Sequence, residues 1–122
     1  MKLQQAYISE SATFIGSWAL IGYKAPGSTG TDAGATTNFS YAPADGAPTG
    51  ANSTALATGV TGAWTATNNA KLNDCPSAAN WTVSVSASSA GVAGEATYTA
   101  AFKADNKAAC QPLTPSFETI SQ

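Results

Sequence analysis

The strongest constraint on the fold is the strict alternation of large apolar and small polar residues in WTVSVSAS (81–88). Trp81, Val83 and Val85 share one face, as in a half-buried β-strand. EATYTAAFKA (95–104) alternates in the same way. Tyr98, Ala100 and Phe102 lie on one side of that second segment, or Phe102 lies on the side opposite Tyr98 if a β-bulge intervenes. Because the connecting SAGVAG is short and contains glycine, the two segments predict an antiparallel hairpin.

Other segments are less regular. ATGVTGAWTAT (57–67) and NFSYA (38–42) are strand candidates, and the Pro- and Gly-containing stretches between them are typical of loops. WALIGY (18–23) fits a short helix or an apolar strand equally well, since periodicity does not separate the two. Two prolines near the C-terminus exclude a central strand there, which leaves PSFETISQ (115–122) as an edge strand or coil.

Residues 3–15 predict an amphipathic helix. Leu3, Tyr7 and Phe14 fall on one stripe at spacings of four and seven, and Ile8 and Ile15 lie seven apart on an adjoining stripe. We expect the stripe of Leu3, Tyr7 and Phe14 to pack on the sheet. No Ser, Thr, Asp or Asn precedes the helix as an N-cap, so the segment has the pattern of the later part of a longer helix. A helix followed by strands with short connections predicts an α+β domain, with the helix laid across an antiparallel sheet of about four strands.

The low charge excludes several classes of partner. Only 10% of the 122 residues are charged, against roughly 25% in typical soluble domains. The net charge is −2, and histidine and arginine are absent. The lysines are scattered along the sequence at Lys2, Lys24, Lys71, Lys103 and Lys107. Binding of nucleic acid or an anionic membrane by charge requires clustered Lys or Arg, so neither partner is expected.

The two cysteines, Cys75 and Cys110, both lie beside turn-forming sequence. A pair of free thiols or half of a metal site would be the cytosolic alternatives, although no histidine is present to complete a mixed site. We expect a disulfide, which would place the domain in an oxidising compartment.

Catalytic chemistry has little support in the sequence. The common nucleophilic triads need a histidine base, no SxxK or P-loop motif is present, and the acidic residues are dispersed. Asn73-Asp74 and Asp105-Asn106 accompany the two cysteines and would supply oxygen ligands for Ca²⁺, but turn formation explains them as well. We therefore expect no catalytic residue, no metal and no cofactor.

The aromatic side chains allow two interpretations. They could form a platform on which sugar rings stack, or they could belong to the core. The candidates are Trp18, Trp64, Trp81, Tyr23, Tyr41 and Tyr98. The positions of Trp64 and Trp81 in alternating strands favour the core.

KLQQAYISESATFIGSWALIGYKAPG, followed by NFSY, resembles the region in which the N-terminal helix of a bacterial type IV pilin enters its globular head. The Ala- and Thr-rich strands with few charges are also similar to a pilin or pseudopilin head. In that family a long helix has a hydrophobic first half, which lies in the membrane before assembly and in the filament core afterwards. Its amphipathic second half packs on a four-stranded sheet, and a disulfide often closes the C-terminal segment.

The resemblance implies a single domain over residues 1–122. Residues 1–15 would be the end of the long helix, 16–37 the helix-to-sheet loop, 38–104 the sheet region and 105–122 the tail, with Cys75–Cys110 as the staple. It further implies a non-enzymatic, exported subunit of a cell-surface filament, with related subunits as partners and membrane contact only through a hydrophobic helix upstream of Lys2. The alternative is a secreted module that binds carbohydrate or mediates adhesion, with a surface glycan as its partner.

Overall fold

The structure is a computed structural model that describes residues 2–11, 14–28, 33–44, 46–88 and 94–120. It is an α+β arrangement of short helices and two antiparallel sheets. The α-helices are α1 (Lys2–Ser11), α2 (Trp18–Ile21) and α3 (Lys107–Cys110). The strands are β1 (Phe14–Gly16), β2 (Gly34–Ala35), β3 (Phe39–Ala42), β4 (Ser53–Ala55), β5 (Val60–Asn68), β6 (Ala79–Ala87) and β7 (Ala96–Phe102). Three 3₁₀ helices cover Ala104–Asn106, Gln111–Leu113 and Phe117–Ile120.

The main sheet has five strands in the order β2-β3-β5-β6-β7, and β1 and β4 form a separate two-stranded sheet. The expected sheet of about four strands corresponds to β3, β5, β6 and β7. The short β2 adds a fifth strand because Gly34 and Ala35 pair with Tyr41 and Ser40 at the edge of β3. An antiparallel α+β fold was therefore predicted correctly, but the second sheet was not foreseen.

Alternation in β6 and β7 sets which face of the main sheet is buried. Trp81, Val83 and Val85 are buried, while Thr82, Ser84 and Ser86 on the other face are half-buried or exposed. The register pairs Val85 with Tyr98 and Trp81 with Phe102, so both strands bury the predicted sides. The SAGVAG connection lies largely outside the described residues, but the antiparallel pairing of its flanking strands is confirmed.

The helix prediction for residues 3–15 is wrong at its C-terminal end. α1 ends at Ser11, and Phe14–Gly16 forms β1, which pairs with Ser53–Ala55 of β4. The Ser11 hydroxyl accepts a hydrogen bond from Phe14 N at 3.1 Å and donates one to Phe14 O at 3.1 Å. The backbone after the helix is thus satisfied by a side chain and by strand pairing rather than by a further helical turn.

The predicted inward stripe of the helix also needs correction. Phe14 is outside the helix and 45% exposed, and Leu3 is 44% exposed. The buried residues of α1 are Gln4 and Ile8, one helical turn apart. Tyr7 is half-buried against Gly16, where an added Cβ would come within 2.9 Å of its ring. The helix therefore packs chiefly through Gln4 and Ile8, because Gln4 finds backbone partners inside the protein.

Local capping explains why WALI is a helix rather than a strand. The Ser17 hydroxyl accepts a hydrogen bond from Leu20 N at 3.2 Å, which makes Ser17 the N-cap of α2. Gly22 ends the helix in the left-handed conformation with φ 77°, and its N–H bonds to helix carbonyls. The segment 16–37, expected to be a loop, thus contains both α2 and β2.

Two hydrophobic clusters lie on the buried face of the main sheet. The first joins α1, β1 and the loop after β4 to the ends of β5, β6 and β7. Its members are Ile8, Ile15, Leu56, Val60, Val83, Val85, Tyr98 and Ala100. The second lies against the C-terminal segment. Its members are Ala66, Cys75, Trp81, Phe102 and Cys110, with Phe39, Tyr41, Leu113 and Phe117 packed around them.

The C-terminal segment is helical, so the alternative of an edge strand is wrong. Pro112 lies in the first turn of the 3₁₀ helix Gln111–Leu113, where proline is tolerated. Phe117, in the last 3₁₀ helix, contacts the rings of Phe102 and Trp64 with centroid distances of 5.5 and 6.2 Å. The segment therefore covers part of the sheet.

The predicted disulfide between Cys75 and Cys110 is confirmed, with a Cα–Cα distance of 4.7 Å. Both cysteines are fully buried. Beside them, Asn80 Nδ2 donates to Asn68 Oδ1 and to Pro76 O, both at 2.8 Å. The disulfide and these buried amides together hold the loop after β5 against the C-terminal segment.

Candidate functional site: an apolar groove between α1 and the sheet

A groove of about 420 Å³ opens where the start of α1, the main sheet and the last 3₁₀ helix meet. We refer to it as the α1 groove. It is lined from the sheet by Ala63, Trp64, Val83, Val85 and Tyr98. It is lined from the other elements by Lys2, Leu3, Gln4, Trp18, Ile21, Tyr23, Phe117 and Ile120. Lys2 is the charged member of this set.

The alternation of the strands provides the floor of the groove. Val83 and Val85 point to the buried face of β6, and Tyr98 lies opposite Val85 on β7. Trp64 comes from β5, where it pairs with Val83. Branched aliphatic and aromatic side chains on adjacent strands form a continuous apolar surface.

The wall on the α1 side is fixed by Gln4. Its Nε2 donates to Gly16 O at 2.8 Å, and its Oε1 accepts from Gly16 N at 2.9 Å. These two bonds join α1 to β1 and use both ends of the side-chain amide. Leu3, next to Gln4, therefore remains at the opening of the groove, where it is accessible.

The indole groups that line the groove also have internal partners. Trp18 Nε1 donates to Ala63 O at 2.8 Å, and Trp64 Nε1 donates to Tyr23 Oη at 3.1 Å. The rings of Trp18 and Tyr23 pack edge to face with a centroid distance of 4.9 Å. The two indoles thus present carbon surface rather than open donors to the groove.

Tyr98 occupies the most buried part of the floor. Its hydroxyl donates to Gln5 Oε1 at 3.3 Å, which connects β7 to α1. Burial disfavours the ionised phenol and raises the pKa of Tyr98 from 10.0 to about 12. This tyrosine is therefore neutral at physiological pH and contributes to the groove as an apolar ring.

The chemistry of the lining indicates what kind of group fits the groove. Gln4, Trp18, Trp64, Tyr23 and Tyr98 each have a hydrogen-bond partner inside the chain. A sugar would need donors and acceptors aimed at its hydroxyls in addition to a ring to stack on. Leu3 and Ile120, 44% and 40% exposed, leave hydrocarbon at the opening. The groove therefore suits an apolar side chain.

The aromatic residues singled out in the sequence belong largely to the core. Trp81 and Trp18 are buried, which confirms the interpretation made for Trp81. Six rings form a closed circuit of neighbouring pairs, with centroid distances from 5.4 to 6.3 Å. The six are Phe39, Tyr41, Trp64, Phe117, Phe102 and Trp81. Trp64 is half-buried and belongs both to this circuit and to the groove lining.

The two asparagines considered for Ca²⁺ have structural roles in the fold. Asn73 has φ 51° in the turn that joins Leu72 to Cys75, whose backbones exchange two hydrogen bonds. Asn106 Nδ2 donates to Asn80 Oδ1 at 2.8 Å. Within the described part of the chain, no three His, Cys, Asp or Glu side chains form a group suited to a metal ion.

Sequence reasoning missed Gln4, Phe117 and Ile120 as determinants of the groove. A glutamine inside an amphipathic pattern gives no signal of burial, since its partner Gly16 lies twelve positions away. Phe117 is evident in the sequence as an aromatic residue, but its contact with Trp64 depends on how the C-terminal segment folds back onto the sheet. Trp64 itself was among the aromatic residues that the sequence analysis singled out.

Comparison of the chain with known protein families, with curated proteins and with solved structures finds no match. In the residues that the structure describes, no helix has the length and apolar character needed to cross a membrane.

Proposed function

We propose that this chain is the globular head of a type IV pilin or pilin-like subunit, which assembles into a cell-surface filament. The observation that carries the proposal is the order of its parts. A helix at the N-terminus leads into an antiparallel sheet, and a disulfide ties the loop after β5 to the C-terminal segment. This order matches the layout that the resemblance to pilins implies.

Two further features support the proposal. A disulfide is typical of proteins in oxidising compartments, which suits an exported subunit. The first helix keeps apolar surface accessible at Leu3, beside the α1 groove, and Phe14 is accessible beyond its end. A subunit that contacts copies of itself without closing into a ring needs two different surfaces of this kind.

In this proposal the subunit polymerises through a hydrophobic helix encoded upstream of Lys2, and the sheet and its loops face outward. No catalytic step, metal or cofactor takes part. Secreted carbohydrate binding is the weaker candidate, because the amide, indole and phenol groups that line the α1 groove already have internal partners. Titration with soluble glycans separates the two, since a stacked sugar would shift the fluorescence of Trp64 whereas a filament subunit would give no shift.

Deletion of the gene in the source bacterium tests the proposal. Surface filaments counted by electron microscopy should be lost and should return with the intact gene. Complementation with Val85→Asp, which places a charge in the core, should fail, while Ser86→Asp on the exposed face should restore filaments. A filament population unchanged by deletion would contradict the assignment.

A further inference from the structure

The α1 groove lacks an apolar occupant within the described residues, and the same molecule carries an apolar side chain at the opposite end of α1. Phe14 is 45% exposed, the largest value among the large hydrophobic residues of the described chain, and it does not line the groove. The groove contains Leu3 from the first turn, whereas Ser11, at the last turn, bonds to Phe14. The chain thus has an apolar groove at one end of α1 and the exposed ring of Phe14 at the other.

The course of β1 keeps these two features apart. After Phe14 the chain runs back along α1, so that Gly16 bonds to Gln4 and Trp18 lines the groove with Leu3. Phe14 is therefore held at the far end, where its backbone pairs with Ala55 of β4. It cannot enter the groove of its own chain without breaking this pairing.

Charges of opposite sign accompany the two features. Lys2 lines the groove, and Glu10 lies in the last turn of α1, one residue before Ser11. Both residues are exposed, and no ion pair joins either of them to another described residue. A basic residue therefore accompanies the α1 groove at one end of the helix, and an acidic residue accompanies the exposed Phe14 at the other end.

The position of Glu10 is not explained by the stability of α1. The C-terminus of a helix carries partial negative charge, so an acidic residue in the last turn is unfavourable there and a basic one is preferred. α1 has no basic residue in its last turn and no acidic residue in its first. A positive partner from outside the molecule would relieve this arrangement.

We propose that the α1 groove receives Phe14 of a second copy of this chain, and that Lys2 of the first copy pairs with Glu10 of the second. The contact is head to tail, because the two surfaces are different and lie at opposite ends of the helix. A head-to-tail contact gives a ring where its rotation closes and an open filament where it does not, and the proposed function requires the open form. It deepens the proposed function, on which it rests, by naming a contact between neighbouring heads.

A contact made by one aromatic side chain and one exposed ion pair is weak when it acts alone. We expect the 122-residue chain to be monomeric at low micromolar concentration and to associate between about 0.1 and a few millimolar. Sedimentation equilibrium should give a mass that keeps rising with concentration and does not stop at a dimer. Raising the salt concentration should weaken the association, since exposed charges are screened.

Charge exchange tests the pairing. Lys2→Glu alone brings two carboxylates together at the contact, and Glu10→Lys alone brings two ammonium groups together. Each variant should therefore associate at least about threefold more weakly than the unchanged chain. An equimolar mixture of the two variants, and the double variant, should regain association. Neither substitution removes an internal ion pair of the described chain, and circular dichroism should show both variants folded.

Phe14→Ser should abolish association, with Leu20→Ser as the matched control because Leu20 is 39% exposed and does not line the groove. The proposal is overturned if the mixture stays as weak as the single variants, if Phe14→Ser associates normally, or if the chain forms a closed dimer. Any of these results would reject the contact between heads but not the filament assignment, which the gene-deletion experiment tests separately. Normal pairing in vitro without filaments in cells would reject the assignment instead.

Discussion

Gln4 and Gly16 are joined by two hydrogen bonds between one side-chain amide and one residue's backbone. Nε2 donates to the carbonyl at 2.8 Å, and Oε1 accepts from the N–H at 2.9 Å. Both residues are buried. This pairing sets the angle at which α1 meets β1, and with it the opening of the α1 groove.

Gln4→Leu should destabilise the fold by about 2–4 kcal/mol, because it leaves the N–H and C=O of Gly16 buried without partners. Ala6→Leu places the same side chain on the exposed side of α1 and should change the free energy of unfolding by less than about 0.5 kcal/mol. Urea unfolding followed by fluorescence measures both. Equal midpoints for the two variants would show that the amide pairing carries no stability.

Removal of the disulfide should lower stability by up to about 4 kcal/mol, the chain-entropy value for a crosslink that spans 35 positions. The comparison is between the intact chain and the double variant Cys75→Ser/Cys110→Ser. Intact mass after alkylation without reductant checks the bond itself. Two alkylated thiols in freshly purified, periplasmically expressed protein would contradict the pairing.

Val85→Asp should destabilise by about 3 kcal/mol or more, because the carboxylate would enter the cluster formed with Val60 and Tyr98. Ser86→Asp, one position along the same strand and exposed, should be nearly silent. Ser84 is a poorer control because its hydroxyl accepts a hydrogen bond from Gly62 N. Thermal unfolding compares the two variants. Equal melting temperatures would show that the register described for β6 is wrong.

The buried phenol of Tyr98 should make stability depend on alkaline pH. Its pKa is raised from 10.0 to about 12, so the folded protein holds this proton more tightly than the unfolded chain. The contribution is fully present below pH 10 and is lost as the pH rises through the folded pKa near 12. Tyr98→Phe lacks this titration, so the difference in unfolding free energy between the two proteins should be flat to about pH 10 and then fall. A flat difference up to about pH 12 would contradict the burial of the hydroxyl.

The parts of the fold that depend on local periodicity could be predicted from the sequence. Alternation over 81–88 indicated the buried face of β6, and the turn-flanked cysteines indicated the disulfide. The inward side of α1 could not be read in this way, because the burial of Gln4 depends on Gly16, twelve positions away. The α1 groove was equally hidden, since its lining comes from two helices, three strands and the C-terminal segment.

The extent of α1 shows how two periodicities compete. Phe14 and Ile15 continue the apolar spacing of the helix, but they also fit a short strand, and pairing with β4 decides for the strand. The partner segment Ser53–Ala55 lies about forty residues away and carries no strong strand signal of its own. A register set by such a distant and weak partner is outside what local patterns determine.

The proposal that this chain is a subunit of a surface filament is tested by the composition of the filaments themselves. Filaments sheared from intact cells of the source organism would be purified, dissociated and digested without reductant for mass spectrometry. The filament fraction should contain peptides of this chain, including a pair crosslinked through Cys75 and Cys110. Filaments that lack these peptides, with the chain recovered only from the cell interior, would contradict the proposal.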